Sequence, residues 1–101
     1  MNRLEILLEA WQEEPENPFN SYLLALEYQK SNPALAQEWF EKTLEKFPDY
    51  LPSYFTYAQY LVELGLEEQA ADWCLRGLRL AEEQGQSKTA REIQSFMDIH
   101  F

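Results

Sequence analysis

The sequence contains few side chains that could act as catalytic residues, and their positions do not favour catalysis. The only histidine, His100, is next to last in the chain, where termini fray and where nothing fixes a nucleophile beside it. The only cysteine, Cys74, excludes an intramolecular disulfide. Cys74 lies at a position of a helical pattern that is usually buried, so we expect an unreactive core thiol.

Acidic side chains are the other candidates for a reactive or metal-binding centre. Glu13, Glu14 and Glu16 are close in sequence, but they lack the regular spacing of oxygen ligands that a calcium loop requires. No carboxylate pair lies on an apolar background that would tune it for acid–base catalysis. The sequence also contains no phosphate-binding loop, dinucleotide fingerprint or CxxC pair. These patterns predict a protein that is not an enzyme and that uses no cofactor or metal.

The charge balance argues against nucleic acid and membrane partners. The 101-residue chain, long enough for one small globular domain, has a formal net charge of −10, from 18 acidic and 8 basic residues, spread over both halves. Nucleic-acid binders need clusters of Lys and Arg, and anionic membrane surfaces attract the same clusters. The acidity is therefore interpreted as a solvated surface that keeps the protein soluble, rather than as an acidic site for basic partners.

The N-terminal residues predict no targeting or membrane segment. Glu5 and Glu9 interrupt the apolar residues of the first helix, and no run approaches the ~18 apolar residues that a membrane span needs. We therefore expect a cytoplasmic protein.

Two offsets of similar size relate one half of the chain to the other. A shift of 34 residues places Trp39 on Trp73, and a shift of 33 residues places Ala25 on Ala58. Asn32 and Pro33 are typical of a helix start, whereas Gly65 is typical of a helix end. Between these turns the apolar residues follow helical rather than strand periodicity. The predicted helices span residues 2–13, 19–31, 33–47, 52–64, 67–84 and 87–99.

The repeated hairpin resembles the tetratricopeptide pattern of large and small residues. From residue 51, the large or small residues of that pattern are Tyr54, Tyr57, Ala58, Leu61, Gly65, Ala70, Cys74 and Gly77. The first repeat supplies Leu24, Ala25, Tyr28, Asn32, Phe40, Thr43 and Pro48. Ser21 and Gln37 depart from the pattern, Ser21 at the position where the second repeat has a tyrosine. Small residues let paired helices approach, and large ones fill the space between them.

The resemblance implies an all-α fold, a short right-handed superhelical stack of antiparallel helix pairs. Two full motifs are flanked by half-repeat helices, giving six helices in a single domain. The expected divisions are an N-terminal half repeat at 1–16, repeat 1 at 17–50, repeat 2 at 51–84 and a capping helix at 85–101. The whole chain resembles small free-standing tetratricopeptide proteins of bacteria.

The resemblance also implies a binding surface on the first helix of each pair. The positions that line the concave groove of the family carry aromatic and apolar residues here, which suit a peptide or protein partner. The groove residues so predicted are Phe19, Tyr22, Leu26, Gln29, Phe55, Gln59 and Val62. One subclass grips a terminal carboxylate with several cationic residues, but this chain has only Lys30 there, so we expect no such clamp.

The first and last helices allow an alternative. Ile6 and Trp11 near one end, and Ile99 and Phe101 near the other, add apolar surface beyond a single stripe. An open end of a helical stack is a natural place for self-association. A homodimer joined through these helices is therefore the second hypothesis.

Overall fold

The computed structural model describes all 101 residues and contains six helices and no strand. The helices are α1 (Arg3–Glu13), α2 (Pro18–Tyr28), α3 (Pro33–Lys46), α4 (Leu51–Glu63), α5 (Glu67–Glu83) and α6 (Ser87–His100). Each connection is three or four residues long, and such short turns join helices that pack side by side. The predicted all-α fold of six helices is confirmed.

Asparagine caps start the first three helices. The side-chain oxygens of Asn2, Asn17 and Asn32 accept hydrogen bonds from backbone N–H groups in the first turns of α1, α2 and α3, at 2.8, 3.0 and 3.1 Å. Each bond satisfies a donor that the helix itself leaves unpaired. Pro18 and Pro33 follow two of these caps, where a missing N–H removes no helical bond.

Glycines end the two helices of the second repeat. Gly65 and Gly85 have φ values of 79° and 69°, in the left-handed region that glycine adopts without strain. After α4, the N–H of Leu66 donates to the carbonyl of Leu61 at 2.9 Å, and the turn after α5 repeats this bond between Gln86 and Ala81 at 2.8 Å. Both turns are Schellman motifs.

The end of α2 is the largest departure from the predicted boundaries. The sequence predicts a helix to residue 31, whereas α2 ends at Tyr28. Pro33 disfavours helical geometry at Asn32, and Asn32 is already extended as the cap of α3. The intervening residues form a turn in which the N–H of Asn32 donates to the carbonyl of Tyr28 at 2.8 Å.

Two compact units divide the chain between Tyr50 and Leu51. In the first unit, Met1–Tyr50, α2 packs against both α1 and α3; in the second, Leu51–Phe101, α5 packs against both α4 and α6. The division falls at the boundary that the repeat pattern assigns between residues 50 and 51.

Gly77 lies at the centre of the second unit. A Cβ atom at Gly77 would lie 2.9 Å from the Cβ of Tyr54 and 3.4 Å from the Cδ1 of Ile93. The backbone of α5 thus touches side chains of both α4 and α6. The ring of Tyr54 also packs edge to face with that of Trp73 on α5, with centroids 5.9 Å apart.

The corresponding position of the first unit is filled differently. Ser21 of α2 and Thr43 of α3 are buried, and their hydroxyl oxygens lie 2.9 Å apart within hydrogen-bonding distance. The Thr43 hydroxyl also lies 2.7 Å from the carbonyl of Trp39, and the Ser21 hydroxyl donates to the carbonyl of Pro18 at 3.2 Å. Two small polar side chains therefore occupy the place where the second unit has a tyrosine and a glycine.

Candidate functional site

Cys74 and His100, the two residues considered as candidates for chemistry, both pack against apolar side chains. Cys74 is fully buried beside Ala58 and Ile93, and this burial raises the pKa of its thiol to about 11. His100 lies against the ring of Phe96, with centroids 4.2 Å apart. No three His, Cys, Asp or Glu side chains cluster closely enough to hold a metal ion.

The acidic turn after α1 is an exposed ion-pairing site. Glu16 pairs with Lys46 of α3 at 3.0 Å, and the Glu16 side chain is mostly exposed. Exposed pairs of this kind contribute about 0–1 kcal/mol. The pair links the turn after α1 to the end of α3.

The predicted groove residues of the first unit lie on α2 or directly after it and differ in solvent exposure. Phe19 is the most accessible, with 49% of its surface exposed, while Tyr22, Leu26 and Gln29 are half-buried. The ring of Tyr22 touches Phe19, and it also lies edge-on to Tyr50 with centroids 5.6 Å apart. Tyr22 is therefore both an accessible aromatic residue and part of the packing of this unit.

The predicted groove residues of the second unit also differ in solvent exposure. Gln59 is exposed on α4, and Val62 is half-buried. Phe55 is half-buried because the ring of Phe96, on α6, lies edge-on to it with centroids 5.3 Å apart. The last helix thus covers part of one residue that the pattern assigned to binding.

Lys30 already has an anionic partner. Its ammonium group lies 3.2 Å from the Glu27 carboxylate, which also accepts a 2.8 Å hydrogen bond from the Nε of Arg3 on α1. The hydrogen bond from Lys30 and then that from Arg3 lower the pKa of Glu27, against an opposing effect of desolvation. Lys30, in the turn after α2, is thus engaged in an exposed ion pair within its own unit.

The first unit also contains an open cavity that the sequence patterns did not predict. Its volume is about 350 Å³. It lies between α1 and α3, with Ser21 of α2 among the residues that line it. The signal that could have revealed it is Ser21 itself, since the second repeat has the large Tyr54 at that position.

None of the six helices combines the length and the apolar composition that crossing a membrane requires.

Two solved structures resemble the chain in both sequence and fold. A solution NMR structure of a tetratricopeptide repeat domain protein from Salinibacter ruber has 34% sequence identity and a TM-score of 0.76, over 81% of this chain and 84% of that one. A crystal structure of a tetratricopeptide repeat domain protein from the same organism has 32% identity and a TM-score of 0.70, over 78% and 89% of the two chains. No protein-family model and no curated protein matches the chain.

The helix pairs α2–α3 and α4–α5 are the units related by the 33- and 34-residue offsets, and both pack as neighbours. The chain belongs to the tetratricopeptide repeat family.

Proposed function

We propose that the chain is a protein-binding module that takes an apolar or aromatic peptide segment of a partner on the first helix of each repeat. Family membership supports a protein-interaction scaffold in general. The observation that carries the finer proposal is Phe19, a phenylalanine with 49% of its surface exposed beside the half-buried ring of Tyr22. Exposed aromatic side chains of this kind are typical anchors of peptide interfaces.

On the first helix of the second repeat, the proposed contact residues are Phe55, Gln59 and Val62. Gln59 is exposed, so its amide is accessible to a peptide backbone. Phe55 and Val62 are half-buried and would supply apolar contact at lower exposure. Leu26 and Gln29 complete the surface on α2.

The test uses substitutions that do not disturb the core. Tyr22 and Phe55 each pack against another ring of their own unit, so their replacement by alanine would confound binding with stability. Phe19→Ala and Gln59→Ala remove more exposed groups, although the Phe19 ring lies near that of Tyr22, with centroids 6.5 Å apart, and changes at exposed positions alter stability by about 0.5 kcal/mol or less. Ile6→Ala, on α1, is the matched control because Ile6 is equally exposed, at 52%.

Peptides would be selected from a random display library against the wild-type protein, synthesised with a fluorescent label and titrated by fluorescence polarisation. The proposal expects Phe19→Ala and Gln59→Ala to weaken binding of the selected peptide and Ile6→Ala to leave it unchanged. Selected peptides that bind both variants as tightly as the wild type would contradict it.

A second candidate function is self-association through α1 and α6. Large apolar side chains on these helices are exposed, with Ile6 at 52%, Ile99 at 79% and the adjoining Phe101 at 48%. Light scattering after size exclusion, over a range of concentrations, would detect a dimer. This candidate expects a mass that falls on dilution and a monomer for Ile99→Asp or Ile6→Asp; a constant mass near the 12.0 kDa of one chain would exclude it.

A further inference from the structure

We propose that the cavity between α1 and α3 is a binding site for a small aromatic carboxylate. This inference is independent of the peptide surface on α2 and α4, because it concerns other residues and another class of ligand. The proposal stands on the shape of the cavity, the chemistry of its walls and the charges at its mouth.

Aromatic rings form the walls of the cavity. Trp11 of α1 and Trp39 of α3 meet edge to face, with ring centroids 5.0 Å apart, and Phe47 and Pro15 also line the space. Aromatic faces and edges favour a flat aromatic ligand over an aliphatic one of equal volume. The lining is therefore suited to a ring system.

The volume of the cavity sets the size of that ring system. A dry cavity of about 150 Å³ is large enough to hold benzene. The present cavity, at about 350 Å³, is roughly twice as large and reaches the range of natural small-molecule pockets, about 300–1,000 Å³. A two-ring group fits this space better than a single ring.

The space exists because Ser21 is small. In the second unit, the residue at the same repeat position, Tyr54, places its ring against Trp73. In the first unit Ser21 carries no ring at this position and lines the cavity beside Trp39, and the hydroxyls of Ser21 and Thr43 satisfy each other and nearby carbonyls. An aromatic ligand would add a ring beside the Trp11–Trp39 pair, at the position where Ser21 carries none.

Two lysines supply positive charge at the mouth. The ammonium group of Lys42 lies 4.6 Å from the centre of the Trp39 ring, and that of Lys46 lies 3.5 Å from the carbonyl of Pro15. Both side chains are about half exposed. These are two of the four lysines of a chain whose formal net charge is −10, so their position beside one cavity favours an anionic ligand group there.

The existing partners of these lysines are exchangeable. Lys42 pairs with Glu38 at 3.5 Å and Lys46 with Glu16 at 3.0 Å, and both carboxylates are more than half exposed. Because an exposed ion pair contributes only about 0–1 kcal/mol, a ligand carboxylate can replace Glu38 or Glu16 at small cost. Glu45 is the acidic side chain that lines the cavity itself, and it would oppose the ligand charge.

The first experiment titrates 2-naphthoate into the ¹⁵N-labelled full chain and follows the indole N–H signals of the three tryptophans. The proposal expects saturable shifts for Trp11 and Trp39, with Trp73 of the other unit as the internal control. The neutral amide 2-naphthamide should bind about two- to fivefold more weakly, because it lacks the charge that the lysines recognise. No saturable shift of Trp11 or Trp39, or equal binding of the amide, would overturn the proposal.

Substitutions of the charged residues then test whether they recognise the carboxylate of the ligand. Lys42→Gln and Lys46→Gln should each weaken 2-naphthoate binding by about two- to fivefold, and Glu45→Gln should strengthen it by a similar factor. Lys88→Gln, an exposed lysine of the second unit, should change nothing. Binding that is insensitive to all three cavity substitutions would overturn the assignment of the carboxylate.

The filled variant tests the cavity directly. Ser21→Tyr combined with Thr43→Gly gives the first unit the residue pair of the second, and it should abolish binding while the remaining amide signals stay dispersed. If this variant does not fold, Trp11→Leu removes one wall with less disturbance and should weaken binding severalfold. Undiminished binding in whichever folded variant is obtained would contradict the proposal.

Discussion

The two units pack the same position of the repeat in opposite ways. In the second unit Tyr54 is large and its partner Gly77 has no side chain, so the helix backbones approach until a Cβ at Gly77 would lie 2.9 Å from that of Tyr54. In the first unit Ser21 and Thr43 are both small, and their hydroxyls lie 2.9 Å apart. The repeat pattern therefore constrains the pair of residues together rather than each one separately.

The difference between the pairs has a structural consequence. The tyrosine ring of the second unit packs edge to face with Trp73, with centroids 5.9 Å apart. The serine of the first unit does not reach as far, and an open cavity of about 350 Å³ lies beside Trp39. At the same repeat position, one unit therefore has a packed aromatic ring and the other has a small side chain that lines a cavity.

The largest loss of unfolding free energy is expected when Tyr54 of the second unit is replaced by serine, the residue that the first unit has at this position. Tyr54→Ser removes a buried ring without removing the space around it, and such changes cost about 3–5 kcal/mol of unfolding free energy. Urea unfolding followed by far-UV circular dichroism would measure this loss. Leu75→Ser, which removes a large but exposed side chain of α5, is the control and should cost about 0.5 kcal/mol or less. Equal losses for the two variants would break the comparison.

A smaller loss is expected from the partner of Tyr54. Gly77→Thr introduces a Cβ against Tyr54 and Ile93, and overpacking of this kind costs about 1–3 kcal/mol.

The double variant Tyr54→Ser with Gly77→Thr sharpens the point. It recreates the hydroxyl pair of the first unit, so the two losses should be less than additive by about 0.5–3 kcal/mol. Simple additivity in urea unfolding would show that the two positions do not form a pair.

The hydroxyl pair of the first unit should contribute less to the free energy of unfolding than the Tyr54 ring of the second unit does. Thr43→Val keeps the volume of the side chain but removes the oxygen near Ser21 and the Trp39 carbonyl. Ser21 still donates to Pro18, so the expected cost is about 1 kcal/mol. The double variant with Ser21→Ala, in which neither hydroxyl remains, should lose little more than Thr43→Val alone. A loss as large as that of Tyr54→Ser would be inconsistent with this ranking.

The smallest effect concerns the acid sensitivity of the first unit. Because Lys30 and Arg3 lower the pKa of Glu27 in the folded state, the folded protein binds this proton less readily than the unfolded chain does. The stabilisation is present above the unfolded-state pKa, about 4.3 for a glutamate, and is lost as the pH falls through the lower folded-state value. The urea midpoint of Glu27→Gln should therefore change less with pH over this range than that of the wild type. An equal pH dependence for the two proteins would contradict the role of Glu27.

Much of the local structure could be predicted from the sequence. Asn32 and Pro33 were expected to start a helix and Gly65 to end one, and all three do so. Helical periodicity predicted the buried position of Tyr57, and the repeat pattern predicted that of Cys74; both residues are fully inaccessible. These features depend on residues within one or two turns of each other, so their physical causes are visible in the order of the chain.

Other features depended on residues far apart in sequence. Phe55 was predicted to line the binding surface, but Phe96 of α6, 41 positions later, covers part of it. Glu27 receives Arg3 from another helix, 24 positions earlier. No local pattern predicts such partners, because the contact exists only after the helices have packed.

The sequence by itself determined the helices, their caps and turns, and the family to which they belong, because backbone conformation and periodic burial are set by nearby residues. The tertiary structure decided what the departure at Ser21 means. A serine where a large residue is expected could have been compensated by a closer approach of the helices. In this fold the Ser21 hydroxyl instead packs against that of Thr43, where the second unit has only the backbone of Gly77, and a cavity lined by Ser21 and Trp39 lies beside this pair.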